Sequence, residues 1–579
     1  MRMMSRVALS LLLALAAAAP AERPPAAGVD GRRLTIVGIN DVHGALLAVP
    51  PPRWISGSTD SEVGGADWFA GYLAAIRAEA RENGGEVILL DAGDAFQGSL
   101  ISNQFRGQSV TEVYDALGVA AAALGNHEFD FGVPVLKERI AQARYPILAA
   151  NVFLKGTRKR PDFLRPSALV DAGGIKVGIV GLATVTTPIT TNPVNVADLE
   201  FVEGGPVAAA EADALRARGA SVVVLCAHAG PRPPEQEIQR IAHAVQGKVD
   251  AIVSGHHHVA IGPPPLVVGN IPIVQSGSKL QSFSIIELTL DARNRVRSFA
   301  VNEGSLPRPG GPQAILHAWH GRPAEWRGRR IEPGAQVGAI LQRYDAQVKA
   351  LRETRIGRTL VDLRKGGDDL LGNLAADALR SGAGGSLEAQ YALQNAGGLR
   401  VEEIPAGPIT FGQIFALYPF DNEQIVLSLA ARDIRDALEA VLHSGKAPMR
   451  VSGLRYVIDW DRFGAGGDPG HAPPGAIVVR LVDEAGGVLC ETKSCAAGTC
   501  DSACAEGPYT VAVTDFLVNG GDGLKLPAGA PRRSGGALAR EIIATYVKEH
   551  QPLTSQLLSE GGARRWTEIG SSRRGHARR

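Results

Sequence analysis

Leu124-Gly125-Asn126-His127-Glu128-Phe129-Asp130 sets an amide, an imidazole and two carboxylates directly after a glycine. Four further polar clusters make that stretch specific: Asp41-Val42-His43, Gly93-Asp94, Cys226-Ala227-His228 and Gly255-His256-His257-His258. Each follows a short apolar run that reads as a buried strand. The runs Leu34 to Ile39, Val87 to Leu90, Ile147 to Ala150, Val177 to Val180, Val222 to Cys226 and Ala251 to Val253 have strand length, and helical patterns at 66–82, 133–143 and 206–218 lie between several of them. The alternation predicts an α/β layered domain over 33–300. Ligands of open α/β sheets collect at the carboxyl ends of the strands, where all five clusters fall.

The donors in these clusters suit two metal ions. Asp41 and His43 are two apart, so an extended backbone would send both side chains to one face. Asp94 offers two carboxylate oxygens, expected to serve one cation each, while Asn126 adds a neutral oxygen and His228, His256 and His258 add imidazoles. Mixed nitrogen and oxygen donors without cysteine suit Zn, Mn, Co or Fe, and so many imidazoles disfavour calcium. The implied chemistry is hydrolysis of a phosphoryl ester assisted by two divalent ions about 3.5–4 Å apart. His127 neighbours a proposed ligand, and adjacent turn residues rarely face one ion; its expected role is to donate a hydrogen bond or proton where negative charge develops. Asp130, three residues on, is placed to orient that imidazole, and Glu128 is read as a stabiliser of the turn.

A chain of 579 residues exceeds one core, so at least two domains are expected. Residues 301–334 are rich in Gly, Pro and Arg and read as a connecting loop or surface cover. Val337, Ile340, Leu341, Tyr344, Val348 and Leu351 then recur at helical spacing, predicting an interdomain helix over 335–353. A second domain follows over 356–552, with helices near 371–380, 411–416 and 432–443 and strands near 391–394, 425–429, 477–482 and 509–513. Residues 553–579 read as a charged, solvated tail.

The formal net charge is +1 from 60 basic and 59 acidic residues, and aromatics make up 5%, which argues against polymeric nucleic acid as a partner. Arg2 and Arg6, the apolar run Val7 to Ala19 and the small-x-small sequence Ala19-Pro20-Ala21 read as a secretory signal over 1–21. The run is shorter than the roughly 20 residues of a membrane span, and an exported protein, periplasmic or secreted, is expected. Export permits disulfides, so Cys490, Cys495, Cys500 and Cys504 are expected to form two local bridges, with three connectivities open. Cys226, inside an apolar run, reads as a buried, unreactive thiol.

The order Asp-x-His, Gly-Asp, Gly-Asn-His-Glu, His, Gly-His-x-His resembles the calcineurin-like metallophosphoesterases, and the strings Leu90 to Asp94 and Gly125 to Asp130 resemble the secreted 5'-nucleotidase and UDP-sugar hydrolase family. That resemblance implies a four-layer α/β/β/α metal domain joined by a helix to an α/β nucleotide-binding domain. It implies one metal held by Asp41, His43, Asp94 and His258, a second by Asp94, Asn126, His228 and His256, and a catalytic pair in His127 and Asp130. In the second half, Gly372-Asn373-Leu374, Asn395 to Arg400, Tyr418-Pro419-Phe420 and Asp515 to Gly523 resemble the family's substrate domain. There Phe420 and Phe516 are implied to sandwich the base, and Asp522 to bind ribose hydroxyls, with Asn395 and Arg400 also at the substrate. Two phenyl faces stack on any base, and a guanidinium pairs with phosphate. Where the family commonly presents arginine before Gly-Asn-Leu, this chain has Arg364-Lys365-Gly366-Gly367, leaving Lys365, or a shifted Arg364, as the candidate cation. The substrate implied is a nucleoside 5'-phosphate; a 2',3'-cyclic nucleotide, a UDP-sugar or a sulfur ester is the alternative on the same metals. The resemblance also implies rotation between domains, with the hinge expected in the 335–353 helix.

Overall fold

The computed structural model describes residues 32–570 except 53, 56–60, 233–235, 262–264, 463–474, 497–498 and 561–563. The expected signal over 1–21 and the last nine residues, 571–579, lie outside the described residues. The first domain holds two facing sheets. One runs in the order Val296–Val301, Ser282–Leu290, Arg33–Ile39, Glu86–Asp91, Val119–Ala123, Ile147–Leu148. The other runs Leu266–Val268, Ile271–Val274, Ala251–Ser254, Val222–Ala227, Ile175–Leu182, Ser167–Ala172. The central strands of both sheets are parallel, so their carboxyl ends share one rim.

Alternation along each strand divides the cores. Leu34 and Ile36 face the other sheet, meeting Val177, Val224 and Val253, while Val37 and Ile39 face the helices Ala66–Glu82 and Gln108–Leu117. On the second sheet, Val223, Leu225 and Ile252 turn outward under the helices Gly204–Ala217 and Glu237–Ala244. The result is the α/β/β/α layering. Because these strands are covered on both faces, they read as continuous apolar runs.

The Val119–Ala123 strand is not among the expected ones. Its sequence Val-Ala-Ala-Ala-Ala favours helix by intrinsic propensity, but Ala121 and Ala123 fill the space between sheets and Ala122 faces the helices. Tertiary packing overrides the local preference.

The helix Ala335–Glu353 buries Val337, Leu341, Tyr344 and Val348 in the first domain's core and also touches the helix Phe411–Leu417 of the second. Residues 301–334 cover the first domain, where Trp326 is buried and its Nε1 donates to Glu79. In the second domain a sheet ordered Arg450–Ser452, Tyr391–Gln394, Tyr509–Thr514, Glu423–Leu429, Arg532–Leu538 lies between the helices Leu370–Arg380 and Ala539–Glu549 on one side and Ala431–His443 on the other. The helix Phe411–Leu417 begins with a reciprocal cap, Thr410 accepting from the Gln413 backbone and Gln413 from that of Thr410. A further sheet carries the hairpin Val488–Ala496 and Thr499–Cys504, crossed by disulfides Cys490–Cys504 and Cys495–Cys500. Of the three connectivities, the structure has the nested one. Cys226 is a free, buried thiol.

The tail expectation is corrected. Trp566–Ile569 pairs in parallel with Leu454–Asp459, and Arg565, 2% exposed, grips Asp377, Nη2 lying 2.9 Å from Oδ2. Charge in this segment therefore marks a buried ion pair as well as solvated surface. Arg565→Met should leave Asp377 uncompensated and destabilise the second domain by about 3–5 kcal/mol, measurable as a lowered urea midpoint.

Candidate active site

All five polar clusters lie on the common rim, in the loops after Arg33–Ile39, Glu86–Asp91, Val119–Ala123, Val222–Ala227 and Ala251–Ser254. The extended backbone expected for Asp41 and His43 is not what brings them together. Asp41 and His43 both have φ of +50°, Asp94 +59°, His256 +78° and His258 +53°. Left-handed conformations cost energy in non-glycine residues and persist where surrounding structure dictates them. Here the loops are strapped together: Asp41 N–H donates to Gly93 O and His43 N–H to Asp94 O, each at 2.9 Å. Gly125 sits so close that a Cβ would lie 2.2 Å from Asp94 Oδ1, which explains the glycine before Asn126.

Donor atoms of Asp41, His43, Asp94 and His258 all lie within 4.8 Å of one another, and those of Asp94, His228 and His256 do the same. Asn126 Oδ1 lies 3.1 Å from His228 Nε2 and completes the second group. The shared residue is Asp94. Its Oδ1 accepts the His127 N–H at 2.9 Å, while Oδ2 lies 3.1 Å from His228 Nε2 and 3.9 Å from His43 Nε2. One oxygen thus faces both groups, in place of the expected division of one oxygen to each.

The ring orientations fit cation binding. His43 Nδ1 donates to Gln97 O at 2.8 Å, and His228 Nδ1 to Ala92 O at 2.8 Å, the arrangement that turns the Nε2 lone pair toward a metal. His43 Nε2 then meets His258 Nε2 at 2.9 Å. Burial, reinforced by Arg400 at His43 and by His228 at His256, lowers the pKa of these imidazoles, and burial also lowers that of His258 despite the adjacent Asp41. Neutral imidazoles are the ligand form. Burial alone would raise the Asp94 carboxyl, but His228 and His127 hold it well below the usual carboxylate range. Burial would also lower His228, but the same Asp94 pushes it up to about 10, so this ring shares with the carboxylate a proton that a cation would displace. The imidazoles of His43, His256 and His258 are held neutral beside it, a donor set suited to divalent ions.

His127 Nδ1 bonds Asp130 Oδ2 at 2.6 Å, and Asp130 Oδ1 accepts from Thr191 Oγ1 at 2.7 Å. Burial would lower the imidazole pKa, yet Asp130 and Asp94 raise it. Glu128 is structural: it accepts the N–H groups of Asp94, Ala95, Phe96 and Gly125 at 2.7–3.2 Å.

A cavity of about 280 Å³ spans both domains, lined by Asp94, Asn126, His127, Asp130, His256 and His258 from the first and by Asn395, Arg400, Phe420, Phe516 and Asp522 from the second. Arg400 Nη2 lies 3.0 Å from His43 Nε2, the Phe420 ring is 5.8 Å from that of His127, and Asn395 Nδ2 donates to Asp522 Oδ2 at 2.7 Å. Lys365 does not line this cavity. Its ammonium is taken by Leu399 O at 3.0 Å and Glu402 at 3.7 Å, so it braces the 395–400 loop instead of reaching the chamber. None of the described residues of the cysteine hairpin lines it either. Sequence reading gives no role to Gln97, Asn103, Asn192 and Asp515, which also line it; isolated polar residues carry no periodic signal, and only their convergence singles them out.

Among the described residues, no helix is long and apolar enough to cross a membrane. Residues 34–260 match the family described as calcineurin-like phosphoesterase, and residues 351–528 match the 5'-nucleotidase, C-terminal domain. The chain is 29% identical over 548 residues to a snake venom 5'-nucleotidase from Naja atra, covering 89% of this chain and 96% of that one. It is 28% identical over 593 residues to the 5'-nucleotidase of Homo sapiens, covering 94% and 92%. The crystal structure of a 5'-nucleotidase precursor from Thermus thermophilus superposes with a TM-score of 0.72 at 27% identity, covering 93% of this chain and all of that one. With both halves matched in order, and the donor groups gathered where the first half requires them, the chain belongs to the family that joins a calcineurin-like phosphoesterase domain to a 5'-nucleotidase C-terminal domain.

Proposed function

We propose that this protein is an exported, metal-dependent hydrolase that releases phosphate from nucleoside 5'-phosphates. One observation carries the reading: a single cavity brings the His127–Asp130 pair and the two metal-donor groups together with two phenyl rings and a half-buried arginine from the other domain. Asp41, His43, Asp94 and His258 would hold one divalent ion and Asp94, Asn126, His228 and His256 the other, with Zn, Mn, Co and Fe all compatible with these donors. When bound, the ions supply Lewis-acid charge that makes a water nucleophilic near neutral pH and stabilises phosphoryl oxygens.

The chain's own residues supply the rest. His127, aligned by Asp130, donates a hydrogen bond or proton to an oxygen on which charge develops. Arg400 pairs with the phosphate, Phe420 and Phe516 stack on the base, and Asn395 and Asp522 take the ribose hydroxyls. Export rests on the leader over 1–21.

The test is phosphate release from AMP, ADP and UMP, together with product formation from UDP-glucose (UMP and glucose 1-phosphate) and 2',3'-cyclic AMP (the ring-opened monophosphate), using protein stripped by chelator and resupplied with Mn, Zn, Co or Mg. Expected is no release from the stripped protein and restored release from AMP and UMP on adding metal. Turnover confined to UDP-glucose or the cyclic substrate would move the function to those esters, and no turnover with any metal would refute hydrolysis of this group of substrates.

A further inference from the structure

The hydrogen bonds that cross between the domains land beside the side chains assigned to substrate. Gln97 Nε2 and Asn103 Nδ2 both donate to Pro419 O, at 3.0 and 2.8 Å, next to Phe420. Asn192 Nδ2 donates to Asp515 Oδ2 at 3.1 Å, next to Phe516. Lys279 Nζ donates to Arg400 O at 2.6 Å.

Lys279 stands apart because both of its ends are engaged. Its backbone N–H donates to Asp41 O at 2.7 Å, so one residue links the carbonyl of a metal-donor residue in the first domain to the carbonyl of Arg400 in the second. Lys279 and Leu280 hold φ of +58° and +47°, a costly turn for side-chain-bearing residues. Among the described residues no carboxylate forms an ion pair with the half-buried ammonium, whose hydrogen bond goes to the Arg400 carbonyl, and partly desolvating a lysine against a carbonyl is unfavourable. Lys365 braces the same loop from the other side through Leu399 O. Two lysines therefore hold adjacent carbonyls of the segment whose guanidinium reaches His43.

We propose that Lys279 is a positioning residue: it registers Arg400, and through it the phosphate of a bound nucleotide, against the metal ligands of the opposite domain. The inference rests on the nucleotidase reading above. Displacements of about 1 Å in such a clamp cost around a hundredfold in rate, so a single charged hydrogen bond at its base has leverage.

A double-mutant cycle on the metal-loaded full chain tests this, with kcat and KM for AMP, metal content and melting temperature measured for K279M, K279R, R400A and K279M/R400A. Expected is a loss of about tenfold in kcat/KM for K279M, recovery of most activity in K279R, unchanged metal content, and a further loss below about twofold when K279M is added to R400A. Equal losses from K279M in both backgrounds would show a merely structural role and overturn the proposal, as would a K279M enzyme matching the wild type. A wild-type protein that does not hydrolyse AMP would instead overturn the nucleotidase reading, and this inference with it.

Discussion

Replacing His127 by glutamine is expected to lower kcat for a nucleoside monophosphate by about 100- to 10,000-fold, the range general acid–base groups contribute. Metal content should stay at the wild-type level, because the imidazole is bonded to Asp130 and faces the cavity beside the donor groups without belonging to either. KM should change little. Asp130→Asn should lose less, since the amide still accepts a hydrogen bond from Nδ1 but no longer favours the charged imidazole. Elemental analysis alongside steady-state kinetics separates this outcome from metal loss. A His127→Gln enzyme with near-normal kcat would remove the catalytic assignment.

Asp94→Asn should have the other large effect, for a different reason. Asp94 is the residue common to both donor groups, and its Oδ2 faces His228 and His43 together. Cations of this kind are worth several kcal/mol in the transition state, so kcat/KM should fall by about three orders of magnitude or more. Metal that binds only the folded protein raises the melting temperature; that rise on adding Zn or Mn to stripped protein should be present in the wild type and largely absent in Asp94→Asn. An undiminished metal-dependent rise in the variant would show that Asp94 is not the shared ligand.

Much of this site is legible before folding is considered. The stretches Ile36 to Ile39, Val222 to Ala227 and Ala251 to Val253 are unbroken apolar runs because both faces are covered, and their polar successors stand out by contrast. Asn126, His127, Asp130 and the imidazoles are recognisable because few residue types can do metal and proton chemistry. The Val119–Ala123 strand resists the same reading because its alanines obey packing between layers and not their own preference. Lys365 resists placement for a related reason: a lysine near a phosphate motif and a lysine bracing a carbonyl look alike in one dimension.

By itself, the sequence determined the inventory of donors, their order along the chain and the strands that deliver them, since residue chemistry and apolar periodicity are properties of local segments. Only the tertiary structure decided that Asp94 presents one oxygen to both groups, that Asp41 and His43 converge through left-handed turns, that Glu128 ties down four backbone amides, that Cys490 pairs with Cys504, and that Arg400 arrives over His43 from the other domain. Apart from the disulfide within one hairpin, these depend on contacts between separate segments, 34 residues apart for Glu128 and Asp94 and 357 for Arg400 and His43, and on backbone angles those contacts impose, which no local pattern encodes.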